Sequence, residues 1–132
     1  MATSEVKHVV KTDRAPAPYQ GAPYSQGIRY ENLVFVSGQL GLDAETGELV
    51  EGGIGPQTEQ AMRNLDAILE EAGSGAKQLL KTTIYLADLG DFAAMNEVYA
   101  TFLGPEPPAR ATIQVAGLPS GALVEIDGIA YL

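Results

Sequence analysis

The spacing of apolar positions along the chain changes character several times, and each change marks an element. Val6 to Val10 (VKHVV) is short and β-branched, which predicts a strand. Ile28–Tyr30 and Leu33–Ser37 read as two strands around the turn residues Glu31 and Asn32. Further on, Ala61, Met62, Leu65, Ile68, Leu69 and Ala72 recur at helical spacing, and Gly73 offers a stop. "KQLLKTTIYLADL" is a long β-type run. Phe92, Met95, Tyr99 and Phe102 then fall on one helical face, with Asp88 or Asp91 to cap it and Gly104-Pro105 to end it. Two final strands lie in "ARATIQVA" and "LVEIDGIAYL".

The order β-ββ-α-β-α-β-β fits one α+β domain spanning residues 1–132. The expected architecture is a six-stranded, mostly antiparallel sheet with both helices on one face. "TDRAPAPYQGAPYSQG" is too rich in Pro and Gly for regular structure and must be an ordered loop or a loose arm. "GLDAETGELVEGG" is turn-rich. Alternation puts Ala111, Ile113 and Val115 on one face of their strand and Arg110, Thr112 and Gln114 on the other. In the last strand Val124 and Ile126 oppose Glu125 and Asp127. The helices are expected to cover the apolar faces. Thr112, Gln114, Glu125 and Asp127 would then share a second face, too polar for a dry core, and either solvated or packed against other subunits.

Composition narrows the chemistry. The chain is 45% hydrophobic and 19% charged, a globular balance. Its net charge of -9, without any Lys/Arg cluster, argues against nucleic acid as a partner and against a basic membrane-binding helix. The absence of cysteine removes disulfides, thiolate nucleophiles and thiolate metal sites. The single histidine, His8, sits in a strand-like run, a poor place for the base of a Ser-His-Asp triad, and one histidine cannot build a His-rich metal site. The first ten residues lack an apolar signal core, and no apolar run reaches membrane-spanning length. A cytoplasmic protein without metal or cofactor is the expectation.

Arg110 stands out against this background. It is the one Lys or Arg beyond Lys81, while the same stretch carries Asp88, Asp91, Glu97, Glu106, Glu125 and Asp127. Its planar fork can grip a carboxylate, or it can be a strut paired with Glu106 or Asp127. Glu125, flanked by Val124 and Ile126, becomes a general acid or base if its strand is central, and is an ordinary solvent-facing residue otherwise. "VSGQL" puts Ser37 and Gly38 at a strand end, where Gly38 either admits a ligand to the backbone or forms a bulge. Tyr24 in "PYSQG" and Asn96 at the edge of the second helix face a ligand or merely pack.

Taken in order, these segments resemble the RidA/YjgF family of reactive-intermediate deaminases. "PPARATIQVAGLPSGALVEI" fits that family's C-terminal signature. "APYSQG", "NLVFVSGQL", "ETGELVEG" and "KTTIYLADLGDFAAMNEVYATF" match as well, so the resemblance runs from about Ala15 to Ala130. It implies a chorismate-mutase-like subunit with the final strand inserted centrally and the "ARATIQVA" strand at the sheet edge. It also implies a homotrimer with clefts between subunits, which would cover the second sheet face. The implied activity is hydrolysis of 2-imino acids, and of enamine tautomers such as 2-aminoacrylate, to 2-oxo acids and ammonia. By motif, Arg110 holds the substrate carboxylate, Glu125 handles the attacking water, and Tyr24, Ser37, Gly38, Asn96 and Thr112 bind substrate. Thr112 stands where the best-known members have Cys, and a main-chain carbonyl can serve there equally well. The loop before Tyr24 is longer than usual and carries a second tyrosine, Tyr19. Tyr24 is preferred because "PYSQ" is the matching string.

The resemblance leaves two alternatives. One is a non-catalytic module that binds small 2-oxo or amino acids and acts as a regulator or holdase through the same cleft. The other is an RNA-directed ribonuclease, a label the family has also borne. The acidity and the lack of a paired histidine argue against that last reading.

Overall fold

The computed structural model describes residues 6–132. The reading of the first ten residues as lacking a signal core therefore lies partly outside the described residues. The strands are β1 (His8–Val10), β2 (Gly27–Tyr30), β3 (Leu33–Leu40), β4 (Leu79–Leu86), β5 (Ala109–Gln114) and β6 (Val124–Tyr131). The helices are α1 (Ile54–Glu71) and α2 (Phe92–Ala100). All six strands form one sheet in the order β1-β2-β3-β6-β4-β5. Every pairing is antiparallel except β4 with β5, which is parallel. The last strand is thus inserted centrally and β5 lies at an edge, as the family resemblance implied.

Both helices pack on one face. Ala61, Met62, Leu65, Ile68 and Leu69 of α1 are buried against Val34, Val36, Ile84, Val124, Ile126 and Ala130 of the sheet, with Met95 and Tyr99 from α2. α1 ends in a glycine cap: Gly73 has φ +93°, and the Ser74 N–H reaches the Leu69 carbonyl at 2.8 Å. Before α2, Asp88 accepts the Gly90 N–H at 2.8 Å and starts a short turn that runs into the helix. Asp91 makes no side-chain cap.

The Pro/Gly-rich segment is an ordered arm held by one buried amide. Gln26 accepts the Thr12 N–H at 2.7 Å and donates to the carbonyls of Thr12, Ala15 and Pro16 at 2.8–3.1 Å. A smaller apolar cluster of Leu40, Leu42 and Ala122 lies beyond the arm, with Tyr19 packed against it.

One expectation is corrected. Arg110 and Thr112 face the helix layer, not the outer face. The parallel register pairs Arg110 with Thr82 and Thr112 with Ile84, and Thr82 and Ile84 both point into the core. Gln114 belongs to the same row, where its Oε1 accepts the Leu89 N–H at 2.8 Å and ties down the turn before α2. The apolar Ala111 and Ile113 are the outward residues, with Ile113 46% exposed. The rule that helices cover the apolar face fails here because β5 is an edge strand. Only α2 overhangs it, and that helix offers a mixed aromatic and polar edge. Glu125 and Asp127 do lie on the outer face, since Val124 and Ile126 are buried beneath the helices.

Candidate functional site

The Arg110 guanidinium sits against α2. Its Nη1 donates to Asn96 Oδ1 at 2.7 Å, and its carbon lies 5.3 Å from the centroids of both the Phe92 and Tyr99 rings. Phe92, Asn96 and Tyr99 occupy positions i, i+4 and i+7 of α2, one stripe of the helix. Among the described residues Arg110 forms no ion pair, so it is not a strut to Glu106 or Asp127. Asn96 holds the arginine here. The sequence places Phe92 and Tyr99 on one helical face with Met95 and Phe102. Tyr99 is buried, but Phe92 is 41% exposed beside Arg110. Their signal was present, since an aromatic two turns from another on the helix preceding a lone arginine invites a cation–π contact.

Glu125 lies on the opposite face. It pairs with Leu40 of β3 and Tyr85 of β4, so it is on a central strand and half-buried. Burial, and then the charge of Asp127 two residues on, push its carboxyl above the ordinary glutamate range. Asp127 is itself fixed, accepting the Thr83 N–H and the Tyr85 hydroxyl at 3.1 Å each. Burial and that acid hold the Tyr85 phenol above its usual value, so it remains a donor.

Ser37 and Gly38 form a bulge. Val36 pairs with Gly128 and Gln39 with Ile126, leaving two residues of β3 opposite one of β6. The Glu125 carboxyl lies directly over Gly38, where a Cβ would overlap it. A side chain at position 38 would have to displace the flexible end of Glu125, so Gly38→Ala is expected to push that carboxyl aside. The NMR titration of the Glu125 carboxyl should then move back toward the ordinary glutamate range, while the far-UV spectrum stays native. The Ser37 hydroxyl donates to the Ser25 carbonyl at 2.6 Å and ties the bulge to the arm.

Tyr24 borders an open groove of about 450 Å³ together with Ser25, Phe35, Val36 and Ser37. Its hydroxyl accepts the Tyr19 N–H at 2.6 Å. Tyr19 instead points away, with its hydroxyl 2.9 Å from Ser120 Oγ. Of the two tyrosines, Tyr24 is the one beside Ser37.

The structure thus places the candidate residues in two separate groups. Arg110, Asn96 and Thr112 lie on the helix side of the sheet edge, while Glu125 with Gly38 lies on the outer face. Neither that groove nor the 490 Å³ cleft under the arm includes Arg110 or Glu125. Among the described residues Thr112 Oγ1 is buried without a hydrogen-bond partner. Thr112→Val keeps its shape and removes that unmet group, so thermal unfolding should show a gain of about 1 kcal/mol.

Comparison with known proteins identifies the scaffold. Residues 12–132 match the family model described as endoribonuclease L-PSP. The chain is a member of this family, RidA/YjgF. The chloroplastic Reactive Intermediate Deaminase A of Arabidopsis thaliana is 49% identical over 131 residues, covering 99% of this chain and 69% of that protein. The 2-iminobutanoate/2-iminopropanoate deaminase of Mus musculus is 44% identical over 128 residues, covering 97% and 93%. The crystal structure of RidA from the Antarctic bacterium Psychrobacter superposes with a TM-score of 0.90 at 46% identity, over 95% of this chain and 99% of that one. Among the described residues no helix is long and apolar enough to cross a membrane.

Proposed function

We propose that this RidA/YjgF chain is a hydrolase that deaminates 2-imino acids to 2-oxo acids and ammonia. The observation that carries the reading is Arg110: a cation free of any acid among the described residues, held by an amide and two rings at an open edge. Such a group is preorganised for a carboxylate. The deaminase names of relatives at 44–49% identity supply the reaction class.

The substrate carboxylate binds the free edge of the Arg110 fork. This orients a protonated imine whose carbon is already electrophilic. Glu125, as carboxylate, accepts a proton from water while the water oxygen bonds to that carbon, giving a neutral carbinolamine. The protonated Glu125 then returns the proton to the amine nitrogen. The C–N bond breaks, the nitrogen leaves as ammonia with the bonding pair, and the carbonyl forms as the hydroxyl proton passes to the Glu125 carboxylate. The raised proton affinity of Glu125 suits both accepting and returning the proton. Ser37, Gly38 and Tyr24 line the Glu125 side of the cleft, and the main chain at Thr112 lines the Arg110 side.

Arg110 and Glu125 face opposite sides of the sheet, so one chain does not bring them together. A second copy, docked on the outer face, would carry its own Arg110 edge to this chain's Glu125. The outer face supports this with Val9 at 64%, Ile113 at 46%, Tyr131 at 44% and Phe35 at 41% exposed, apolar side chains that a second copy would cover. The assembly that repeats such a two-chain contact and closes is a ring, and the family resemblance makes it a homotrimer.

The test generates 2-iminopropanoate in situ with an amino-acid oxidase and follows 2-oxo-acid release. Acceleration over the uncatalysed rate is expected. Binding of a 2-oxo acid without acceleration would leave a ligand-binding module in place of an enzyme. A single monomeric species by light scattering at micromolar concentration would remove the two-chain site.

A further inference from the structure

We propose that Phe92 and Tyr99 are positioning residues that hold the Arg110 guanidinium in the plane and place where a carboxylate meets its free edge. This rests on the proposed function and concerns how its anchor works. Both rings lie 5.3 Å from the guanidinium carbon, and both belong to the α2 stripe that also presents Asn96. A guanidinium carries five N–H groups. Asn96 takes one, and the two aromatic faces interact with the cation without taking any hydrogen. The charge is therefore held while, among the described residues, most of its donors have no partner. An acid partner would have held it as firmly and spent the fork on itself.

The two rings are secured differently. Tyr99 is buried, its hydroxyl 2.6 Å from Thr82 Oγ1, and Thr82 is the register partner of Arg110 across β4 and β5. The strand pairing that sets the arginine's backbone thus also sets the ring beside its side chain. Phe92 lies at the start of α2 with much of its ring at the surface. Its contact with Arg110 accounts for an exposed phenylalanine that the core does not use.

This difference makes the proposal separable from a structural role. Phe92→Leu removes a surface ring and should leave the melting temperature close to wild type, yet raise KM and the Kd for 2-oxobutanoate about 3- to 10-fold, the worth of one cation–π contact. kcat should change less than KM. Tyr99→Leu should raise both constants in the same way. Tyr99→Phe keeps the ring and should rescue the affinity, although it strands the Thr82 hydroxyl and lowers the melting temperature. A merely structural role would make affinity follow melting temperature across the three variants, and that result overturns the proposal. So does a Kd for 2-oxobutanoate unchanged in Phe92→Leu. The calorimetric Kd needs no turnover. If the wild-type protein binds 2-oxobutanoate but hydrolyses no imine, the deaminase reading falls and the clamp stands on the binding result alone.

Discussion

Arg110→Ala and Glu125→Gln chains, each nearly inactive alone, are expected to regain about a quarter of wild-type turnover when refolded together in equal amounts. Arg110→Ala alone should lose roughly 10²-fold in kcat/KM, the upper end for a charged, partly desolvated hydrogen bond. Arg110→Lys should recover part of this, since a point charge lacks the fork. The recovery on mixing follows from the sheet. Arg110 pairs with the core-facing Thr82, whereas Glu125 pairs with the outward-facing Tyr85. In a ring of identical contacts each site takes its arginine from one chain and its glutamate from the neighbour. At a random contact, the intact arginine comes from one variant and the intact glutamate from the other about one time in four. A site built within one chain would recover nothing, because every chain carries one lesion. No recovery in a mixture shown by native mass spectrometry to contain mixed oligomers would rule out the two-chain site. Loss of the fold in Arg110→Ala would instead make the arginine a structural element.

Most of the scaffold was legible because its signals are local. The α1 stripe from Ala61 to Leu69 and the Gly73 stop appear in the structure as read, and so does the hairpin at Glu31-Asn32. The phase of β5 was not legible. Alternation divides a strand into two faces but does not say which one meets the helices. Apolar content is a poor guide at an edge, where one face is overhung by a short helix and the other awaits a neighbouring molecule. The pairing of Arg110 with Thr82 is a long-range fact. So is the stacking of the Glu125 carboxyl over Gly38, which joins two strands nearly ninety residues apart in sequence. Arg110 and Glu125 were singled out by isolation and by apolar flanks. That they occupy opposite faces came only with the register. Helical spacing placed Phe92 and Tyr99 on one face of α2, but that their stripe meets Arg110 is again set by the β4–β5 pairing and not by local pattern.

Glu125→Gln is expected to cut kcat by about 10²-fold or more while making the fold more stable at pH 7. The two effects share one cause. Burial and the neighbouring Asp127 hold the folded-state pKa of Glu125 above the ordinary glutamate range. A carboxyl with a raised folded pKa favours the fold when protonated. That contribution is fully present below the unfolded pKa and is lost as pH rises through the folded one. At pH 7, above the unfolded-state range, the buried ionisable group therefore opposes folding, and the neutral amide does not. The gain in melting temperature for Glu125→Gln should shrink as pH is lowered through the ordinary glutamate range, below which the wild-type carboxyl is protonated in both states. The same shift sets the acid limb of kcat/KM, which should lie above the ordinary carboxylate range because the ionised form takes the proton from water. Asp127→Asn removes the neighbouring charge, lets Glu125 ionise more readily, and should move that limb to lower pH. Tyr85 faces Glu125 from β4, but its hydroxyl stays protonated there and adds no charge of its own. A melting-temperature difference independent of pH would mean that Glu125 carries no burial penalty. Unchanged kcat in Glu125→Gln would reduce it to a scaffold residue over Gly38, and the water would need another base.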